Sequence, residues 1–144
     1  MNTIKILAIF AEDKAGQLNR VTQILADAGI NIHHVAIADS NSGSFGVMKF
    51  VVDAPERALA ALKQNQFIAS FIDALAVEVG DRPGTLHAIT GCLFKNNINL
   101  NGVSGFVTKS RAIILLETDE LQKAEAALAA EKIPVMSAIE IMKL

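Results

Sequence analysis

Two short stretches, 68 residues apart, carry the residues best suited to hold a small charged ligand. They are Asp13-Lys14-Ala15-Gly16-Gln17-Leu18 and Asp81-Arg82-Pro83-Gly84-Thr85-Leu86. Each reads acid, base, small residue or proline, glycine, polar, leucine. Each lies between an apolar strand-like run and a helix-like one. A helix that begins at such a corner presents N–H groups without intrahelical partners, together with the positive end of its dipole, and both suit a carboxylate. Gly16 and Gly84 carry no Cβ, so a ligand can approach the main chain and unusual torsions cost little. Pro83 is expected to pre-set the first helical turn of the second copy.

Asp13 and Asp81 add the opposite demand. A carboxylate that points out of the corner repels an anion and attracts a cation. A zwitterion satisfies both, with its carboxylate on the backbone N–H groups and its ammonium on the aspartate. Asn31 and Asn99 follow the two helices, and their amides can donate to a carboxylate or accept from an ammonium. The set points to an α-amino acid over phosphate or a dicarboxylate. An aspartate at a helix start is equally a sound cap with no ligand, and an asparagine after a helix is a common turn residue. Lys14 and Arg82 either steer an acidic ligand or are solvated charges. No nucleophile elbow, phosphate loop or pair of zinc ligands is present, so the chain reads as a non-enzyme with no catalytic residues, metal or cofactor.

The elements that must position these corners follow from periodicity. Ile4 to Phe10 reads as a strand, and Leu18, Val21, Leu25 and Ala28 form the stripe of an amphipathic helix that Gly29 ends. Ile30 to Ala38 and Phe45 to Val52 read as strands joined by a polar turn, Asp39-Ser40-Asn41-Ser42-Gly43. Asp53 is a cap candidate for a helix with Pro55 and Glu56 in its first turn, Ala58, Leu59 and Leu62 on its buried side, and Asn65 at its end. Phe67 to Val79 contains no Gly, Pro or Asn, so the last strand of this unit runs directly into the first strand of the next.

The second half repeats the first. The shift of 68 that pairs the corners also pairs Thr22 with Thr90, Leu25 with Leu93, and Asn31 with Asn99. Beyond the hairpin the shift is 66, pairing Asp53 with Asp119, Ala58 with Ala124 and Leu62 with Leu128. The lost pair of residues belongs in a shorter hairpin turn around Thr108-Lys109-Ser110, since loops absorb length changes. The expected fold is α+β: two tandem ferredoxin-like βαββαβ units, residues 1–72 and 73–144, with antiparallel sheets and helices on one face.

This order, the Asp-Arg-Pro-Gly-Thr-Leu corner, and the runs Gly29-Ile30-Asn31-Ile32 and Asn97-Ile98-Asn99-Leu100 resemble the ACT domain family, as two tandem copies over essentially the whole chain. The resemblance implies a regulatory protein that binds an amino-acid effector at the interface between ACT-like units, through the strand-to-helix loop and the Asn that opens the second strand. It places ligand contacts at Asp13, Gly16, Leu18 and Asn31, and at Asp81, Gly84, Leu86 and Asn99; the corner residues Ala15, Gln17, Pro83 and Thr85 complete the candidate ligand-binding sites. Some serine-binding members carry a His two positions before the loop's polar residue. Those positions are Ala11 and Val79 here, so serine is not indicated. Ala15 stands where the family usually has Pro, which favours the second corner. The alternative is a ligand-independent oligomerisation or interaction module whose corners are only caps.

Composition narrows the partners. Of 144 residues, 51% are apolar and 19% charged, with a mean hydropathy of +0.38. The surplus apolar surface is expected in a homodimer interface, because no apolar run approaches the roughly 18 residues of a spanning helix. No signal peptide is evident in Met1-Asn2-Thr3-Ile4-Lys5, and the single Cys92 suits a reducing cytoplasm and reads as a packed small hydrophobe. A net charge of −2, the absence of Trp and Tyr, and seven Phe that mostly read as core residues argue against nucleic acid. A regulated enzyme is a possible protein partner. His33 and His34, adjacent on a strand, are expected on opposite faces, where they cannot share a metal. His87 is either a pocket residue or an exposed helical histidine.

Overall fold

A computed structural model describes residues 1–12, 14–39 and 44–144. The elements run β1 (Ile4–Glu12), α1 (Gln17–Asp27), β2 (Ile32–Asp39), β3 (Phe45–Val52), α2 (Pro55–Gln64), β4 (Ile68–Val79), α3 (Thr85–Lys95), β5 (Gly102–Thr108), β6 (Arg111–Glu117), α4 (Leu121–Ala130) and α5 (Ala138–Met142). The α+β order of two βαββαβ-like repeats is the expected one. Contacts divide the chain into two compact units, Lys5–Ile72 and Asp73–Leu144, with Met1–Ile4 packing with the latter. Within that second unit the Asn2 amide donates to the Glu125 carboxylate at 3.0 Å.

The first unit has strand order β2-β3-β1-β4. β3 runs antiparallel to both neighbours, with Phe50 opposite Leu7 on β1 and Val35 on β2. Alternation along β1 sends Leu7, Ile9 and Ala11 into the same core as Val21 and Leu25 of α1, Phe50, and Leu62 of α2. Helix α1 ends as expected, with Gly29 at φ 69° in the left-handed region.

β4 is a single strand of 12 residues, as its lack of turn residues implies. Ala69 belongs to the first core, and Leu75 and Val77 to the second. The second unit has strand order β4-β6-β5, and its core gathers Leu75, Val77, Ile89, Leu93, Leu116 and Leu128. The hairpin between β5 and β6 is closed by Lys109 and Ser110, both left-handed at φ 48° and 65°, with Thr108 opposite Arg111. That is a two-residue turn of the primed type, whose twist matches the strands. It carries the shortening expected there. Its counterpart in the first unit includes Ser40, Asn41, Ser42 and Gly43, which lie outside the described residues.

Several local expectations are corrected. Asp53 does not cap α2: the N-cap is Ala54, without a side-chain bond. The Asp53 carboxylate instead accepts the Asn31 backbone N–H at 3.1 Å, tying the start of β2 to the end of β3. The last strand of the second repeat is reduced to one bridge, Val77 to Val135, next to Pro134, which has no N–H to give to a ladder. The chain then forms α5, opened by a capping box in which Ser137 Oγ accepts from Glu140 N at 3.2 Å and Ser137 N donates to Glu140 at 2.7 Å. Ser-x-x-Glu was the available signal for it.

The phenylalanines are also less uniformly internal than composition suggested. Phe50 and Phe67 are buried, whereas Phe10, Phe45 and Phe94 are exposed. Phe10 and Phe45 stack with ring centroids 5.1 Å apart. On β2 the register shifts between Ile32 and His34, so His33 is an extra residue in the ladder. Simple alternation fails at such a bulge, and the expected opposition of His33 and His34 does not follow from it. The His33 Nε2 is buried without a hydrogen-bond partner. Among the described residues no three His, Cys, Asp or Glu side chains form a metal-binding group.

Candidate ligand-binding site

The two corners have the same backbone. Gly16 at φ 92°, ψ −15° is the N-cap of α1, and Gly84 at φ 91°, ψ −9° is the N-cap of α3. The left-handed φ is what requires glycine here. Space is not the constraint, because a Cβ at either position would meet nothing within 4 Å. The Lys14 amide donates to Glu12 O at 3.0 Å and the Arg82 amide to Gly80 O at 2.9 Å. The first helical bonds are Arg20 N to Gly16 O at 2.9 Å and Ala88 N to Gly84 O at 3.0 Å. Among the described residues, the N–H groups of Leu18 and Asn19, and of Leu86 and His87, find no partner. The second corner is therefore open to an acceptor from outside, and the first has no acceptor among the described residues.

Pro83 does not sit in the first helical turn, as expected from sequence. It lies one residue before the Gly84 cap, and α3 begins at Thr85. Since Ala15 occupies the same place without altering the torsions, proline is not what shapes the corner. Thr85 Oγ1 donates back to Arg82 O at 3.2 Å, which stiffens the second turn locally. Gln17 has no such bond among the described residues.

The aspartates bear on the choice between a cap and a site. Among the described residues neither helix has a side-chain cap bond. Asp81 is exposed and makes no hydrogen bond or ion pair among the described residues; Asp13 lies outside them. Asn31 and Asn99 precede their strands instead of opening them, β2 beginning at Ile32 and β5 at Gly102. Asn99 O accepts from Thr118 Oγ1 at 2.7 Å, and both asparagine amides remain exposed. His87 is exposed on α3. Cys92 is buried, its thiol donating to Ala127 O at 3.3 Å, and burial pushes its pKa up. It is a packed side chain, without the thiolate character that reactivity needs.

Each corner borders a cavity within its own unit. Beside the first is a space of about 220 Å³, edged by Lys14, Gly16 and Leu18 and walled by Ile37 and Met48. Beside the second is a larger one of about 370 Å³ on the other flank, edged by Arg82, Pro83 and Gly84 and walled by Ala88, Ile133 and Pro134. The second was not anticipated. Its signal was in the repeat, where Ala88 stands in register with Arg20 and Ile133 with Phe67.

Comparison with known proteins agrees with this architecture. The profile of the ACT domain pair matches residues 2–144. No curated protein matches by sequence. Among solved structures, protein BT0572 from Bacteroides thetaiotaomicron superposes with a TM-score of 0.92 at 28% identity, over 99% of this chain and 97% of that one. The ligand-free regulatory subunit of aspartate kinase from Thermus thermophilus gives 0.60 at 20% identity over 90% and 91%. That from Thermus flavus gives 0.59 at 17% over 90% and 92%. The latter two speak for the fold alone. With a profile match across nearly its full length and both repeats in place, the chain belongs to the ACT domain pair family.

Proposed function

We propose that this protein is a non-catalytic regulatory protein that binds a small amino acid at its glycine corners and passes the effect to a regulated enzyme or to a second copy of itself. One observation carries the reading. Both helices start at a left-handed glycine with N–H groups that no described residue claims, and the one described aspartate beside them, Asp81, caps nothing. An amino acid's carboxylate suits the N–H groups of Leu86 and His87, and its ammonium suits Asp81. The exposed Leu86 and the Asn99 amide are the remaining candidate contacts, with Pro83 and Thr85 on either side of the glycine. Ala15, Gly16, Gln17, Leu18 and Asn31 are the counterparts in the first unit, together with Asp13.

Apolar side chains left exposed on β2 and β5, among them Ile37 and Val107, support a homodimer and keep a ligand-independent assembly module as the second reading. No helix among the described residues is long and apolar enough to cross a membrane, and a cytoplasmic setting suits the lone buried thiol.

Thermal stability measured against the common amino acids separates the readings. A ligand at about 100 times its Kd stabilises by about 2.7 kcal/mol. Asp81→Ala should abolish that response while changing unliganded stability by less than about 0.5 kcal/mol, as for a surface change away from any bonded feature. If Asp81 were a cap, the same change would cost about 0.5–2 kcal/mol without ligand. No response of the wild type to any amino acid at millimolar concentration sinks the proposal.

A further inference from the structure

The corners coincide in backbone and differ in what lies behind them. In the first unit the Arg20 guanidinium lies over the Phe67 ring at 4.9 Å and donates to Asn65 O at 3.2 Å. Lys14 is paired with Glu12 at 3.1 Å. The positions in register in the second unit are Ala88 for Arg20, Ile133 for Phe67, Gly80 for Glu12, Arg82 for Lys14 and Lys132 for Gln66. Each change removes bulk or negative charge, or keeps or adds positive charge. What remains is the cavity of about 370 Å³.

We propose that this cavity is a second binding site, for a small apolar carboxylate without an ammonium group. Its walls are apolar where Val79, Ala88, Ile89, Ile133 and Pro134 face it, and its rim carries Arg82 and Lys132. Neither cation has a carboxylate partner among the described residues. With Gly80 in place of an acid, the Arg82 side chain folds over the glycine so closely that a Cβ there would stand 2.8 Å from its Nη1. Glu131, next to Lys132, is paired with Lys95 at 3.5 Å.

Among the described residues the only acid in the wall is Glu78. Both its oxygens take Arg111 N–H groups at 2.9 Å, and that bonding holds its carboxyl below the usual range. Its charge is thus spent inside the unit. An ammonium entering this cavity would meet two cations and no available carboxylate in the lining, from which Asp81 is absent, whereas a carboxylate meets two donors that no described acid holds. The apolar wall then asks for a hydrocarbon tail, which inorganic phosphate lacks.

This site does not depend on the amino-acid reading, although Arg82 to Thr85 form a boundary common to both. Calorimetric titration of the full chain with 4-methyl-2-oxopentanoate, leucine and inorganic phosphate tests it. Saturable binding of the oxo acid is expected. Ala88→Arg, which copies the plug of the first unit on an exposed helical position, should abolish it. Lys132→Gln, which copies Gln66, should weaken it about tenfold, the effect of losing one charge-assisted bond. Both variants should keep any stabilisation by an amino acid, so the two sites can fail separately. Absence of saturable oxo-acid binding, or binding that survives Ala88→Arg, overturns the proposal. Tighter binding of phosphate, or displacement of the oxo acid by leucine at equal concentration, overturns the ligand class.

Discussion

The first and second units are two versions of one design, and the comparison separates what the backbone does from what the side chains do. Gly16 and Gly84 hold the same torsions although one follows Ala15 and the other Pro83. Behind them, Arg20 and Phe67 fill a space in one unit that Ala88 and Ile133 leave empty in the other. Repeats that preserve a corner while changing its neighbours show that the corner is conformationally self-sufficient. What differs between the units is the set of side chains around it.

The largest effect that could break this comparison lies in the cores. Phe50 and Leu116 occupy the same place in register and are both fully buried. Phe50→Ala should cost about 3–5 kcal/mol and Leu116→Ala about 2–5 kcal/mol, read from denaturant midpoints. Costs below about 1 kcal/mol would mean that the sites collapse around the change and are not equivalent core anchors.

The corners themselves come next. Gly16→Ala and Gly84→Ala should each lose about 1–2 kcal/mol, because nothing crowds the added methyl and only the left-handed torsion is penalised. Unequal losses in chemical denaturation would show that Pro83 or Thr85 shapes the second corner after all. A smaller effect is expected at the plug: Arg20→Ala should remove about 0.5–1 kcal/mol, the worth of an exposed cation–π contact. Combined with Phe67→Ile, it should also give the first unit a measurable affinity for 4-methyl-2-oxopentanoate. If calorimetry still sees one site per chain, charge rather than space is the deciding difference.

The smallest effect concerns pH. Burial pushes the His34 pKa below its ordinary 6.5. The unfolded chain then binds more protons than the folded one, so stability is intact above that value and declines as pH falls through the lowered one. A shallow loss of thermal stability between neutral and mildly acidic pH should flatten in His34→Gln. The second unit has Gly102 in register with His34, so that unit contributes nothing comparable.

Much of this was legible in the chain. Apolar periodicity and glycine stops placed α1, α2 and the hairpins, and the change of shift from 68 to 66 located the shorter turn that Lys109 and Ser110 close. What escaped was decided by partners distant in sequence or by torsions. Asp53 reads as a cap until Asn31 arrives to take its carboxylate. Pro83 reads as a first-turn residue until the glycine beside it turns left-handed. Both corners could be found from residue types, but the emptiness behind the second needed Arg20 and Ala88 to be set side by side. The final strand dwindled at Val135 because one missing N–H at Pro134 is a local fact with a non-local result.

The bulge at His33 also bears on how this chain tolerates insertion and deletion. Ile32 faces Val52, while His34 faces Val51 and Val35 faces Phe50. The extra residue therefore changes the phase of β2 and brings Val35 and Ile37 onto the helix side of the sheet. A deletion of one residue after the bulge would throw every later side chain of the strand onto the wrong face. Deleting His33 itself would instead leave Ile32, His34 and Val35 opposite Val52, Val51 and Phe50 in one unbroken ladder. Along this strand the phase is set at a single histidine, and a deletion at the bulge should be tolerated far better than a deletion of one residue later in the strand.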